Sequence, residues 1–145
     1  MRDVLLAERR LKEKDELTLV IVKHGRVIFE TQSHGIMPFV QAIEKFGKEL
    51  VGSSVADKII GRAAALLCAY SKVASVFAVT ISEEGMRVLE ENGISYRFET
   101  QVQNILNREK TDMCPFEKLT ATSQTPEEAY EVLKSFKKFP AHAEC

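Results

Sequence analysis

The sequence predicts an α/β protein, a three-layer α/β/α sandwich built on a mixed β-sheet. Three observations lead there. β-branched and aromatic runs are interspersed with helix-period segments, two neighbouring runs are joined across a tight turn, and one strand-helix-strand unit requires a parallel crossover.

Taken in order, "VLLAERRL" sets Val4, Leu5, Glu8 and Leu11 at helical spacing, giving an amphipathic first helix. "LTLVIVKHGRVIFETQS" holds two strand-like runs across Lys23-His24-Gly25-Arg26, where Gly25 supplies the positive φ of a hairpin turn and His24 reads as a turn residue. The first run is apolar at nearly every position, so its strand belongs inside the sheet. A helix opens near Pro38 in "SHGIMPFVQAIEKFGKEL", with Phe39, Ala42, Ile43 and Phe46 on one face.

"SSVADKIIGRAAALLCAYSK" reads as a second helix, with Ser54 and Asp57 as a box-like cap and Val55, Ile59, Ala63, Leu66, Leu67 and Tyr70 as a core stripe. Gly61 costs such a helix roughly 1 kcal/mol against alanine, which close packing or a bound ligand would offset. "VASVFAVTIS", "SEEGMRVLEENG" and "ISYRFETQV" then form a βαβ unit with Ser82 as helix cap, so its strands run parallel beside the antiparallel hairpin. "NREKTD" is a polar loop, "PFEKL" starts a short helix, and "TPEEAYEVLKSFKKF" is a final helix with a Thr125-Glu128 capping box.

Size and charge narrow the function classes. At 145 residues the chain is of one-domain length, so residues 1–145 are expected to form a single domain. With 20 basic against 21 acidic side chains it carries no global footprint for nucleic acid or an anionic membrane. The longest apolar run, Ala63 to Tyr70, is far short of the ~20 residues of a membrane helix, and the first residues do not resemble a secretory signal. A cytoplasmic location is expected. Three cysteines without paired spacing give neither a disulfide framework nor a metal knuckle, so reduced thiols are expected and no metal or cofactor is assigned.

The stretch "TDMCPFEKL" concentrates the chemistry. Pro115 suits the first position of a helix, which makes Cys114 its cap and favours thiolate, so Cys114 is the candidate nucleophile and the expected reactive thiol; its alternatives are a zinc ligand or a small buried hydrophobe at a turn. Glu117 either bonds back to the cap's N–H or serves as acid or base beside the thiol. Cys68, among Leu66, Leu67 and Tyr70, is a core residue. The tail "HAEC" spells the His-x-Glu element of zinc nucleobase deaminases, but the partnering Pro-Cys-x-x-Cys does not follow it, so it reads as coincidence.

"DKIIGRAAALL", "VASVFAVTIS" and "NREKTDMCPFEKL", with "CPFE" and "GRAAA" the most specific parts, resemble an uncharacterised prokaryotic family of unknown function. That family shares the cytidine-deaminase-like fold without its zinc motifs. The resemblance runs from about Leu17 to "CPFE". It implies that the helix bearing a deaminase metal ligand and catalytic glutamate corresponds to the segment around Ile60, Gly61 and Arg62, and that Ser82 to Gly85 stands where deaminases have Pro-Cys-x-x-Cys. Both halves of the zinc site are then missing.

The resemblance places Gly61 and Arg62 where the parent fold binds substrate. Arg62 there favours an anionic, nucleotide-like small molecule through paired N–H donors; its alternative is an exposed helix arginine. His34, at a strand-to-helix transition, is either a third ligand-binding residue or a turn histidine before Gly35. Three functions follow as expectations: a metal-free small-molecule site, a non-catalytic interaction or regulatory domain, or a zinc hydrolase with unorthodox ligands such as Cys114 and His34. Related folds commonly oligomerise, so a homo-oligomer is expected, with no interface legible in the pattern.

Overall fold

The computed structural model describes residues 2–136. A first helix, α1 (Arg2–Glu13), precedes the hairpin of β1 (Leu19–Lys23) and β2 (Arg26–Thr31). Then come α2 (Met37–Phe46), a 3-10 turn over Gly47–Leu50, β3 (Ser54–Ile60), α3 (Arg62–Ser71), β4 (Ser75–Ser82), α4 (Glu83–Glu91), β5 (Ser95–Val102), α5 (Pro115–Thr120) and α6 (Pro126–Lys134). The tail His142 to Cys145, with its His-x-Glu pattern, lies outside the described residues.

The sheet order is β2-β1-β3-β4-β5. β1 is antiparallel to both β2 and β3, while β3, β4 and β5 run parallel. This is the mixed α/β sheet that the sequence predicts, with one strand more than it announces. Residues Ser54 to Ser71, read as one helix, are instead β3 and α3, broken at Gly61. The cap-like Ser54 lies inside the sheet, its hydroxyl 3.0 Å from that of Ser75, and Ile59 of the supposed core stripe is 39% exposed. Tertiary pairing decides here: Val55, Ala56 and Ile60 are fully buried in the slot between β1 and β4, a burial that outweighs a short cap signal.

Each face of the sheet has its own core. On one, Val4, Ala7 and Leu11 of α1 cover Val20, Val22, Ala56 and Phe77. On the other, α2, α3, α4 and α6 bury Leu19, Ile21, Val55, Val76, Ala78 and Ile81. The hairpin turn is held from α1: His24 and Gly25, both with positive φ as a two-residue turn of this type requires, donate their backbone N–H groups to the Asp3 carboxylate at 3.0 Å each. Among the described residues no helix is long and apolar enough to cross a membrane.

Candidate functional site

At the carboxyl end of β3 the sheet changes from parallel to antiparallel pairing, the kind of position where open α/β sheets hold ligands. A cavity of about 210 Å³ opens there, and His34, Asp57, Gly61, Cys114 and Glu117 line it together with apolar side chains such as Ile105. Four of the five residues expected from sequence therefore meet around one space.

The loop before α5 brings Cys114 and Glu117 to that space. The Asn107 carboxamide oxygen accepts from the Thr111 N–H at 3.0 Å, and the Cys114 N–H donates to the Ile105 carbonyl at 2.9 Å, closing the loop against the pocket wall. α5 then begins at Pro115, and its third residue, Glu117, points at the first turn of α3.

Glu117 does not bond back to its own cap. One carboxylate oxygen accepts from the Arg62 N–H at 2.7 Å and the other from the Ala63 N–H at 2.8 Å. It thus caps α3 from another part of the chain, satisfying two of the donors that every helix start leaves open. Gly61 makes the approach possible: a Cβ there would stand 2.2 Å from the Glu117 Oε1 and 2.8 Å from Ile105. Burial raises the Glu117 carboxyl above its ordinary value, while the two N–H groups and Arg62 pull it back.

Asp57 was not anticipated as a site residue. Its carboxyl keeps a partial opening to the cavity but is otherwise enclosed by protein, and that burial pushes it up to about 7 against the pull of the Ile59 and Lys58 N–H groups. The signal available in the sequence was one acid, followed by Lys58, inside the largely apolar run "SVADKII" of what is now a strand. Behind it, Cys68 is fully buried, with its thiol raised well above the usual range by burial and by Asp57. His34 is exposed on the rim.

Two expected residues are placed differently from the sequence reading. Cys114 is 2% exposed, its side chain makes no cap hydrogen bond to α5, and it is disulfide-bonded, so the expectation of reduced thiols does not hold there. It meets the cavity as wall. Arg62 opens α3, but its guanidinium turns away from the cavity lining: Nε donates to the Thr120 carbonyl at 2.9 Å, an Nη to the Ser123 carbonyl at 2.6 Å, and the Glu84 carboxylate lies 3.8 Å away. The planar fork that suited an anion instead ties α3 to the α5–α6 turn.

A deaminase-type zinc does not fit these residues. At the α3 start, Gly61 and Arg62 offer no metal-ligating side chain, and the Glu117 carboxylate already fills the space against the helix N–H groups. At the α4 start, the Ser82 hydroxyl accepts from the Gly85 N–H at 3.0 Å, and a Cβ on Gly85 would meet the Ile60 carbonyl at 2.8 Å. No group of three or more His, Cys, Asp or Glu suited to a metal ion occurs among the described residues.

No curated protein matches the chain. Among solved structures, a DUF1893 family protein from Thermotoga maritima is 32% identical, with 94% of this chain and 91% of that one covered at a TM-score of 0.84. A diaminohydroxyphosphoribosylaminopyrimidine deaminase/5-amino-6-(5-phosphoribosylamino)uracil reductase from Thermotoga maritima shares the fold at a TM-score of 0.53 and 16% identity, over 68% of this chain and 36% of that longer one. The family model described as Domain of unknown function (DUF1893) matches residues 7–137, and the chain belongs to that family.

Proposed function

We propose that the cavity at the carboxyl end of β3 binds a small, neutral or weakly basic heterocycle of nucleobase type. The observation that carries this reading is a small set of polar groups on a largely apolar lining: Asp57, with Glu117 behind it, His34 at the rim, and Thr18 and Lys58 beside them. Such a site grips a flat ring on its apolar faces and orients it by a few polar contacts. A carboxyl poised near 7 donates or accepts according to its protonation, which matches the mixed edge of a base.

The anionic ligand expected from the sequence fares less well. Arg62 is occupied by backbone carbonyls, and the positive end of α3 is already occupied by Glu117. A phosphate would meet the Asp57 and Glu117 carboxyls, and Lys58, which also lines the cavity, donates its ammonium to the Asp15 carbonyl. The cavity is also smaller than the ~300–1,000 Å³ of typical drug-sized sites, which points to a single ring rather than a whole nucleotide inside it. In this reading Glu117 and Gly61 build the floor, Cys114 the wall, and Asp57 and His34 the recognition. It is a binding assignment; no reaction is derived from it.

Thermal-shift and calorimetric titration with free nucleobases, nucleosides, nucleotides and sugar phosphates test it. Uncharged bases or nucleosides should raise Tm, a ligand at a hundred times its Kd adding ~2.7 kcal/mol, and Asp57→Asn should change which base is preferred. Binding confined to phosphate-bearing compounds would restore the anionic reading. No binding in any class would leave the non-catalytic interaction domain as the better account.

A further inference from the structure

We infer that the protein forms a two-fold homodimer in which β5 pairs antiparallel with β5 of a second copy, making one continuous sheet centred on Phe98. β5 ends the sheet, and no further strand pairs with it among the described residues. Most of its residues are exposed, including the large apolar Phe98 at 39%. An open row of backbone donors and acceptors is normally blunted by proline, lysine, a bulge or shortness. β5 is eight residues long, contains neither Pro nor Lys, and stays in uninterrupted register with β4 from Ser95 to Val102; its two charged side chains, Arg97 and Glu99, which guard an edge when unmatched, are of opposite sign. The opposite edge, β2, is shorter, begins on Arg26 and carries a register shift opposite Ile21 and Val22.

The sequence of β5, "SYRFETQV", is complementary to itself about Phe98. In an antiparallel pair the residues opposite one another share a face. With Phe98 on the two-fold axis, Arg97 of each copy stands opposite Glu99 of the other, Tyr96 opposite Thr100, and Ser95 opposite Gln101. Because the face alternates along a strand, the two nearest alternatives are centred on Arg97 or on Glu99, and each would put like charges on the axis. The charges thus select one register.

Neighbouring side chains extend the match. Arg97 lies 3.4 Å from Glu8, and Glu99 lies 2.6 Å from Lys12, both of which belong to α1. In the dimer these join as an alternating row, Glu8, Arg97, then Glu99 and Lys12 of the second copy, repeated on the other side of the axis. Arg97 and Glu99 remain 52% and 45% exposed at their side chains, so each has surface left for the second partner. On the other face the stacked pair Tyr96 and Phe98, with ring centroids 6.2 Å apart, would meet its symmetry copy.

Sedimentation or light scattering of the purified chain across a concentration series tests the pairing. The wild type should dimerise. Arg97→Glu and Glu99→Arg should each weaken the dimer at least tenfold, equivalent to ~1.4 kcal/mol, because every reversal acts twice by symmetry. The double variant Arg97→Glu/Glu99→Arg should recover most of the loss, since the opposed charges are again unlike; circular dichroism reports that each variant is folded. A chain that stays monomeric into the hundreds of micromolar, a dimer indifferent to single reversals, or a double variant no better than the singles would each overturn the proposal.

Discussion

The first turn of α3 takes its hydrogen-bond acceptors from Glu117, which lies 54 and 55 residues further along the chain, whereas the first turn of α4 takes its acceptor from Ser82, three residues away. Both helices leave the carboxyl end of a parallel strand, and they nearly touch, a Cβ on Gly85 lying 3.2 Å from the Gly61 carbonyl oxygen. The local cap depends on its own segment alone. The remote cap buries a carboxylate, needs a glycine to admit it, and makes the integrity of one helix conditional on another segment's docking. The pocket sits at the remotely capped end, so the end that holds the candidate site is also the more conditional one.

The largest effect should come from breaking the remote cap sterically. Gly61→Ala sets a methyl 2.2 Å from the Glu117 oxygen and 2.8 Å from Ile105, so the carboxylate must abandon at least one N–H. We expect a loss of about 3 kcal/mol, read as a fall in Tm of roughly 10 °C. Glu117→Ala should cost about 2 kcal/mol by leaving the Arg62 and Ala63 N–H groups without their acceptor. In combination the two should be strongly less than additive in a double-mutant cycle, because Glu117→Ala removes the group that the added methyl would strike. Simple additivity would mean that the clash is not with Glu117.

Gly85→Ala probes the contact between the two helix starts. Its methyl would meet the Ile60 carbonyl, backbone that has no rotamer to escape into, at 2.8 Å. A loss of about 2 kcal/mol by denaturant unfolding is expected, and it should persist unchanged when Glu117 is alanine.

Acid–base behaviour separates the ends further. Asp57 sits at about 7 folded against an ordinary 3.8, so the folded state binds the extra proton. Its contribution is fully present below pH 4 and is lost as pH rises towards 7; Glu117, raised by the same cause, acts in the same direction. The full shift would correspond to about 4 kcal/mol, and solvent reaching the cavity reduces it. Asp57→Asn should therefore stabilise the protein by about 1–2 kcal/mol at pH 8 and by almost nothing at pH 4. A gain that is flat in pH would show that the carboxyl titrates normally.

The smallest effect belongs to the local cap. Ser82→Ala should cost about 1 kcal/mol, equally at pH 4 and pH 8, as no titrating group takes part.

The same contrast explains what was legible in advance. Local signals were read correctly: the His24-Gly25 turn, Ser82 before α4, and Thr125, whose hydroxyl accepts from the Glu128 N–H at 3.1 Å. β3 was lost because Ser54 and Asp57 imitate a helix cap, while the evidence for a strand, its fit between β1 and β4, is held by other segments. Gly61 was singled out for close approach without any means of knowing that the approaching group is Glu117. Arg62 was read for its chemistry alone, yet its direction is fixed by the Thr120 and Ser123 carbonyls, whose position depends on how α5 docks. Asp57 became visible as a site residue only once β3 was a strand whose end opens on the cavity.

The Glu117 clasp also sets an order of events in time. Until α5 docks, the Arg62 and Ala63 amides have no protein acceptor, so the start of α3 closes only when the chain beyond β5 has folded back onto it. Every transient release of α5 must expose those two amides together, while the Gly85 amide stays held by its neighbour Ser82. In hydrogen exchange, Arg62 and Ala63 therefore act as a clock for the opening of a segment to which neither residue belongs, and a ligand that fills the cavity should slow it.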